Sequence, residues 1–355
     1  MKKEVLFVGW VNKGLPPVDG ETTKNQYIIA ELEKYCKVHV LDFYQKNKHP
    51  WIYLQAVWAI VTKPKAVIVF STSASNVFSI LRLFYKIGLK RVIINWVIGG
   101  NFATHVKMRT YSNDCDKVFN YINYNLVQCH SMIAELEEAG VYNGKFVSNF
   151  KPIKYIPDLN VCHTIRDKEK KTRFVFLSRI RPEKGCDYIF QAAKQLNEEG
   201  FKDKYIIDFY GKVDTNYKEK FNENISSIEN VHYNGLLVLT KNEGYDVLAT
   251  YHAMLFPTYW EGEGFAGVFI DAFIAGLPVL ASDWAHNTES IVDGKYGVIY
   301  PTHNVAALTN VMKDCIMGKI DLEKLSLNSI NEASKYQAES VITKEYLQQI
   351  GLIDS

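Results

Sequence analysis

Short, β-rich apolar runs alternate with longer segments of helical periodicity along most of the chain. In the first half, the runs Glu4–Trp10, Lys37–Asp42, Ala66–Phe70, Arg91–Val97, Tyr124–Cys129 and Lys145–Ser148 predict strands. Between them, helical patterns fall at Thr23–Tyr35, Trp51–Thr62, Asn76–Ile87, Met108–Asn120 and Ser131–Ala139. Strands that alternate with helices predict a parallel sheet covered on both faces.

The pattern breaks at Asn149–Lys171, which holds Pro152, Pro157 and the charged run RDKEKK at Arg166–Lys171. Such a stretch reads as a linker. Alternation restarts at Arg173. Strands are predicted at Arg173–Leu177, Tyr205–Tyr210, Val231–Tyr233, Ala253–Phe256, Pro278–Ala281 and Gly297–Ile299. Helices are predicted at Cys186–Glu199, Asn216–Ile225, Lys241–Thr250, Gly267–Ala275, His286–Val292 and Val305–Met317, with a last one over Ile330–Ile350. The expected architecture is two doubly wound α/β domains in tandem, residues 1–155 and 156–330. The segment 331–355 is expected to pack back towards the first. Ligands of doubly wound sheets bind beyond the carboxyl ends of the strands, so a cleft between two facing domains is the expected site.

Bulk composition narrows the function classes. A length of 355 residues suits two ordinary domains. Net charge is +2, so no global basic field suits nucleic acid. The 6 cysteines are scattered with no C-x-x-C pair, which indicates neither a zinc site nor a dithiol and fits a reducing compartment. The start MKKEVLFVGWVNKG has too short an apolar run for a signal peptide, and no stretch approaches a spanning helix. The expected location is cytoplasmic. The segment Tyr44–Lys65 mixes lysines with Trp51, Tyr53 and Trp58, and Arg82, Lys86, Lys90 and Arg91 follow. A basic amphipathic surface of this kind suits anionic headgroups at the inner face of a membrane.

The richest chemistry lies in Phe256–Asp283, FPTYWEGEGFAGVFIDAFIAGLPVLASD. It reads as strand, glycine-rich turn, helix, turn and strand. Glu263 and Asp271, with seven residues between them, place one acid in the turn and the other about two turns along, in the helix. The N–H groups of Gly264, Phe265, Ala266 and Gly267 start that helix, where orphan donors and the dipole favour phosphate. A carboxylate beside such a site binds hydroxyls. The expected ligand is both polyhydroxylated and phosphorylated, as a nucleotide sugar is. The stretch FVFLSRIRPEKG at Phe174–Gly185 ends a strand and presents Arg179, Arg181 and Lys184 before a helix, where a diphosphate would sit.

Arg179 with Glu183-Lys184-Gly185, then Glu263-Gly264-Phe265 and Asp271, resembles a retaining GT-B glycosyltransferase of glycosyltransferase family 4, the glycosyl transferases group 1 set. The resemblance covers nearly the whole chain and is strongest in the second half. It implies a GT-B fold of two Rossmann-like domains facing across a cleft, the first binding acceptor and the second the nucleotide sugar. It implies that Arg179 and Lys184 hold the donor diphosphate, that Glu263 meets hydroxyls of the transferred sugar, and that Asp271 binds the nucleotide ribose. Position 271 departs from the family's usual Glu by one methylene.

Further positions follow from the same resemblance. Gly20, in the loop GLPPVDGETTKN where Thr22 or Thr23 is expected to cap the next helix, is the candidate for approach to the donor phosphates. His105, beyond the Gly-Gly pair of NWVIGGNFATH, is the candidate for a contact with the transferred sugar, with Asn101 a lesser option. Gly211 and Asn234–Leu237 match backbone positions flanking the base. Asn149 resembles the family's hinge without its proline and glycine. The resemblance implies no metal and no cofactor. The expected partners are a nucleoside-diphosphate sugar, with UDP-sugar preferred, and a saccharide or lipid-linked glycan acceptor of the capsule or O-antigen type. A GT-B epimerase or hydrolase, or a non-catalytic nucleotide-sugar or glycan-binding protein, is the competing reading.

Overall fold

The computed structural model describes residues 2–354, apart from 45, 47, 48 and 50. The polypeptide forms two units, Met1–Pro152 with Tyr336–Ser355, and Ile153–Lys335.

The first unit carries six parallel strands: β1 (Glu4–Gly9), β2 (Lys37–Asp42), β3 (Val67–Ser71), β4 (Ile93–Trp96), β5 (Tyr124–Val127) and β6 (Gly144–Phe146). Their order is β2-β1-β3-β4-β5-β6, so the direction of winding reverses between β1 and β3. Val5–Val8, Val67–Phe70 and Ile93–Trp96 are all buried, as strands covered on both faces must be. The core joins Val5, Phe7, Val69, Ile94 and Trp96 to Ile28 and Leu32 of helix α1 (Gly20–Tyr35). Helices α2 (Ile52–Thr62) and α3 (Ala74–Ile87) follow β2 and β3.

Residues 336–355 complete this unit. Lys151 N–H donates to Tyr336 O and Ala338 N–H to Lys151 O, each at 3.0 Å. Ala338, Ile342, Leu347, Ile350 and Leu352 are fully buried in the same core. The single helix predicted over Ile330–Ile350 does not form. Its span is broken into Leu322–Ala333, Ala338–Val341 and Lys344–Gln349. Gln337 is extended because it pairs with Lys151, and Thr343 starts a new helix by accepting from Tyr346 N–H at 3.1 Å.

The second unit has β7 (Thr172–Leu177), β8 (Tyr205–Tyr210), β9 (Val231–Tyr233), β10 (Ala253–Phe256), β11 (Val279–Ser282) and β12 (Gly297–Tyr300). The order β12-β11-β10-β7-β8-β9 is that of a Rossmann sheet, with the switch of winding between β7 and β10. Phe174, Phe176, Phe190, Phe209 and Phe221 fill its core.

Local departures from the predicted elements have local causes. Of the helix expected over Met108–Asn120 only Cys115–Asn120 forms, and a separate helix, Phe102–Lys107, ends just before the predicted start. Arg109, at a φ of 51°, and the turn-forming Ser112-Asn113-Asp114 separate them. Helix α1 starts three residues early: Asp19 is its N-cap in a reciprocal box with Thr22, so neither Thr22 nor Thr23 is the cap. The linker region contains a helix, Leu159–Arg166, capped by Asp158. Within it Arg166 is buried and paired with Asp167 and Glu323. All six cysteines are buried thiols.

Candidate functional site

The site is assembled at the switch point of the second sheet, from the loops that leave β7 and β10. After β7, Arg181–Lys184 form a tight turn that Gly185 closes at a φ of 78°. A Cβ on Gly185 would stand 2.0 Å from Pro257 O, so only glycine lets the two loops touch. The β10 loop docks on the turn through Tyr259 N–H, which donates to Glu183 O at 2.8 Å. The E-K-G triplet thus has a geometric reason for its glycine.

This docking brings Lys184 to Glu263, with Nζ 2.5 Å from Oε2. Both side chains are largely buried, 14% and 9% exposed. Thr258, fully buried, donates its hydroxyl to the same Oε2 at 3.0 Å. Both donors reach one oxygen, which leaves Oε1 to accept from a ligand. The carboxylate is compensated and held in one orientation, the condition under which a buried charge is tolerated.

The two arginines behave differently. Arg179 is half exposed and stands 3.6 Å from Asp214 Oδ1. Arg181 instead donates Nε–H to Glu183 at 2.8 Å and lies over the Trp260 indole, 4.3 Å from its centroid. The Arg181 guanidinium beside Glu183 holds that carboxyl below its ordinary range. By sequence, Arg179, Arg181 and Lys184 form one group of converging cations. In the fold Arg181 is a brace within the loop, whereas Arg179 stands beside Asp214 and Lys184 pairs with Glu263.

Helix Gly267–Ile274 follows the glycine-rich turn, with Ala266 at the N-cap offering no capping side chain. Gly264, Phe265 and Ala266 are buried and Gly267 is half-buried. Asp271 is the fifth residue of that helix, one turn in rather than two. It is buried, and its Oδ1 accepts from the Tyr245 hydroxyl at 2.8 Å. Gly211, at the end of β8, has a φ of 148°, and a Cβ there would lie 1.7 Å from Ser178 O. It draws the ends of β7, β8 and β9 together, its N–H donating to Gly235 O at 2.8 Å.

Arg179, Lys184, Gly211, Glu263, Gly264–Gly267 and Asp271 all belong to the second unit. Gly20 and His105 belong to the first. Gly20 opens α1, and a Cβ added to it would meet nothing within 4 Å, so the fold itself does not demand glycine there. His105 sits in helix Phe102–Lys107, half-buried, its ring 5.7 Å from that of Tyr111. Sequence reasoning missed Thr258, Asp214 and Tyr245. Thr258 lies inside the FPTYWEGEG stretch, five residues before Glu263. Asp214 and Tyr245 carry no motif, and only the fold brings them to the site.

Residues 163–332 match the family model described as "Glycosyl transferases group 1". The match falls within the second unit and takes in its whole sheet. Both units together have the GT-B fold of solved structures. Anabaena Alr3699/HepE in complex with UDP matches with a TM-score of 0.73 over 98% of each chain, at 13% identity. Sucrose-phosphate synthase from Thermosynechococcus elongatus matches with a TM-score of 0.71 at 12% identity, over 99% of this chain and 98% of that one. A curated relative, an uncharacterized 41.2 kDa protein in the cps region of Klebsiella pneumoniae, is 25% identical over 151 residues. That stretch is 42% of this chain and spans 38% of the relative's length.

Proposed function

We propose that the protein is a retaining glycosyltransferase that moves a hexose-type sugar from a nucleoside diphosphate, UDP by preference, to a saccharide or lipid-linked glycan. The observation that carries this reading is the Lys184–Glu263–Thr258 cluster at the β7/β10 switch point. It sets a cation for phosphate beside a fixed carboxylate for hydroxyls. Arg179, Lys184 and the start of helix Gly267–Ile274 meet the charge that develops on the leaving diphosphate. Glu263 accepts from a hydroxyl of the transferred sugar, and Asp271 from the ribose. His105 and Gly20 are proposed contacts from the first unit. The bond from the anomeric carbon to the diphosphate breaks as the bond to the acceptor oxygen forms on the same face. The departing phosphate oxygen takes the acceptor's proton, so no protein nucleophile and no metal ion are required.

The UDP complexes of Alr3699/HepE support a uridine donor, and the cps-region relative supports a role in cell-surface polysaccharide synthesis. The deciding experiment is incubation with UDP-glucose and other UDP-hexoses, with and without a glycan acceptor extract. Sugar transferred to an acceptor with release of UDP supports the proposal. Epimerised or hydrolysed sugar as the main product, equal with or without acceptor, favours the GT-B epimerase or hydrolase. Binding without turnover favours the non-catalytic alternative.

The first unit supports a peripheral membrane location. Helix α2 has no charged residue, and Trp51, Leu54, Trp58 and Val61 repeat along its outer side at helical spacing. Trp51 and Trp58 are 70% and 71% exposed, and Leu83 and Ile87 of α3 are exposed as well. Lys65, Lys86 and Lys90 are exposed beside these helices and complement anionic headgroups. Two of the expected cations are otherwise engaged: Arg91 donates to the carbonyls of Ile60, Lys63 and Ala66, and Arg82 pairs with Asp114. Gln45, Asn47, Lys48 and Pro50 of the predicted segment lie outside the described residues. Among the described residues no helix is long and apolar enough to cross a membrane. The protein is expected to float with phosphatidylglycerol vesicles at low salt, and Leu54→Ser with Trp58→Ser to remain at the bottom of the gradient. Wild-type protein that stays in the soluble fraction refutes the membrane contact.

A further inference from the structure

The loops that leave β10, β11 and β12 carry a cluster of rings that the donor chemistry does not use: Tyr259, Trp284 and His303, with Tyr188 from the first turn of helix Cys186–Glu198. The Tyr259 and His303 centroids are 4.8 Å apart, those of Tyr188 and Tyr259 5.6 Å, and those of Trp284 and His303 5.9 Å. Tyr188, Tyr259 and Trp284 are half-buried and His303 is exposed, so the cluster is a surface and not a core.

The rings are held in place. The Tyr188 hydroxyl and His303 Nδ1 stand 2.5 Å apart, and Trp284 Nε1–H donates to Trp260 O at 2.8 Å. Thr302 ties the β12 loop to the β11 loop, donating its N–H and its hydroxyl to Asp283 at 2.7 and 2.5 Å. Of the five non-glycine residues with positive φ among the described residues, two lie in these loops, Ala285 at 49° and His303 at 59°. Such backbone is strained and clusters where side chains are placed for binding.

Polar groups border the rings. Arg181 lies over Trp260 and, with Glu183, Asp214, Asn216 and Tyr217, lines a cavity of about 440 Å³. That cavity adjoins the cluster, since the Tyr217 hydroxyl donates to Asp187, the neighbour of Tyr188, at 2.7 Å. Apolar ring faces beside carboxylates, an amide and a guanidinium match a ligand with C–H faces and hydroxyl edges, which is a saccharide. The ring planes are inclined by 49°, 48° and 78° in the three contacts, so they form no parallel slot for a nucleotide base. Glu183, Asp187 and Asp214 beside them disfavour an anionic headgroup.

We propose that Tyr188, Tyr259, Trp284 and His303 form a saccharide-binding shelf on the second unit, outside the donor site, holding pyranose rings of a glycan chain by their C–H faces. This rests on the transferase reading above, in which a glycan is acceptor and product. A shelf of this kind keeps the chain attached between transfers by raising its effective concentration.

The test is calorimetry with maltohexaose, cellohexaose and mannohexaose, with UDP affinity measured in parallel. Wild type, Trp284→Ala, Tyr188→Ala, Tyr188→Phe and His303→Ala are compared. Ring faces read C–H surface rather than single hydroxyls, so wild type is expected to bind at least one hexaose at millimolar concentration. Trp284→Ala and Tyr188→Ala are expected to weaken that binding by about fivefold or more, the scale of one aromatic contact. Tyr188→Phe keeps the ring and the binding, which separates a lost contact from a lost fold. His303→Ala, at an exposed position, gives the same reading where a larger truncation fails to fold. UDP affinity is unchanged throughout. No hexaose binding by wild type, or full retention in Trp284→Ala, Tyr188→Ala and His303→Ala, overturns the shelf. A wild-type dimer that Trp284→Ala dissolves, without hexaose binding, also overturns it, because the rings then meet a second copy. Ring-dependent hexaose binding in a protein that does not bind UDP upholds the shelf and sinks the transferase reading instead.

Discussion

Lys184→Ala is expected to lose donor binding and to lower turnover by about a hundredfold or more, the scale of removing one preorganised charge from a transition state. The same change strands Glu263, whose buried carboxylate keeps Thr258 as its one donor among the described residues. Breaking a buried ion pair from one side costs about 3–5 kcal/mol, so the melting temperature falls as well. These two losses separate in a double variant. Lys184→Met with Glu263→Gln removes both charges, and its stability is expected to return close to wild type while turnover stays lost. Glu263→Gln alone retains nucleotide binding through Arg179 and Lys184 but loses turnover. Thermal unfolding, calorimetry with UDP and turnover on the four proteins check the set. A double variant as unstable as Lys184→Ala would contradict the assignment of that instability to an unpaired carboxylate.

Gly185→Ala is expected to be severely damaging for a change of one methyl group. The added Cβ meets Pro257 O at 2.0 Å, and the φ of 78° is strained for any side chain. Backbone strain of about 1–3 kcal/mol and a comparable packing cost combine, and the neighbour cannot yield because it is main chain. The β7 and β10 loops separate, so UDP binding goes with stability. Gly211→Ala, with its clash against Ser178 O, is expected to behave alike. Gly20→Ala is the contrast, because its Cβ points into open space. It leaves stability within about 0.5 kcal/mol, so any lost activity in that variant reports a ligand contact. Melting temperatures of the three variants decide the matter, and a Gly185→Ala protein as stable as wild type refutes the loop contact.

Much of this was legible in the amino-acid sequence, for reasons that can be named. Strands such as Val5–Gly9 and Val279–Ser282 are continuous apolar runs, because a parallel sheet between helices is buried on both faces. The EKG and EGEGFAG stretches were readable because glycines at loop crossings leave their mark in one-dimensional order. Helix boundaries in polar stretches were not. Phe102–Lys107 is too short for a periodic signal, and the split at Arg109–Asp114 depends on turn formation. The ending of the chain reads as one helix by periodicity, yet Gln337 is pulled into an extended pairing with Lys151. That partner lies far away in sequence. Arg181 shows the same limit at the level of a side chain. Its charge was legible, but its engagement with Glu183 and Trp260 was not.

The most direct test of the central claim is a thermal-shift panel of UDP, GDP, ADP and CMP with their sugar conjugates, on wild type and Arg179→Ala. Arg179 is half exposed and only loosely paired, so its removal leaves the fold intact. A ligand at a hundredfold excess over its dissociation constant adds about 2.7 kcal/mol of apparent stability. One nucleoside diphosphate, UDP by preference, is expected to raise the melting temperature of wild type, and Arg179→Ala to lose the shift. No shift with any of them at millimolar concentration, or an equal shift in both proteins, would contradict it.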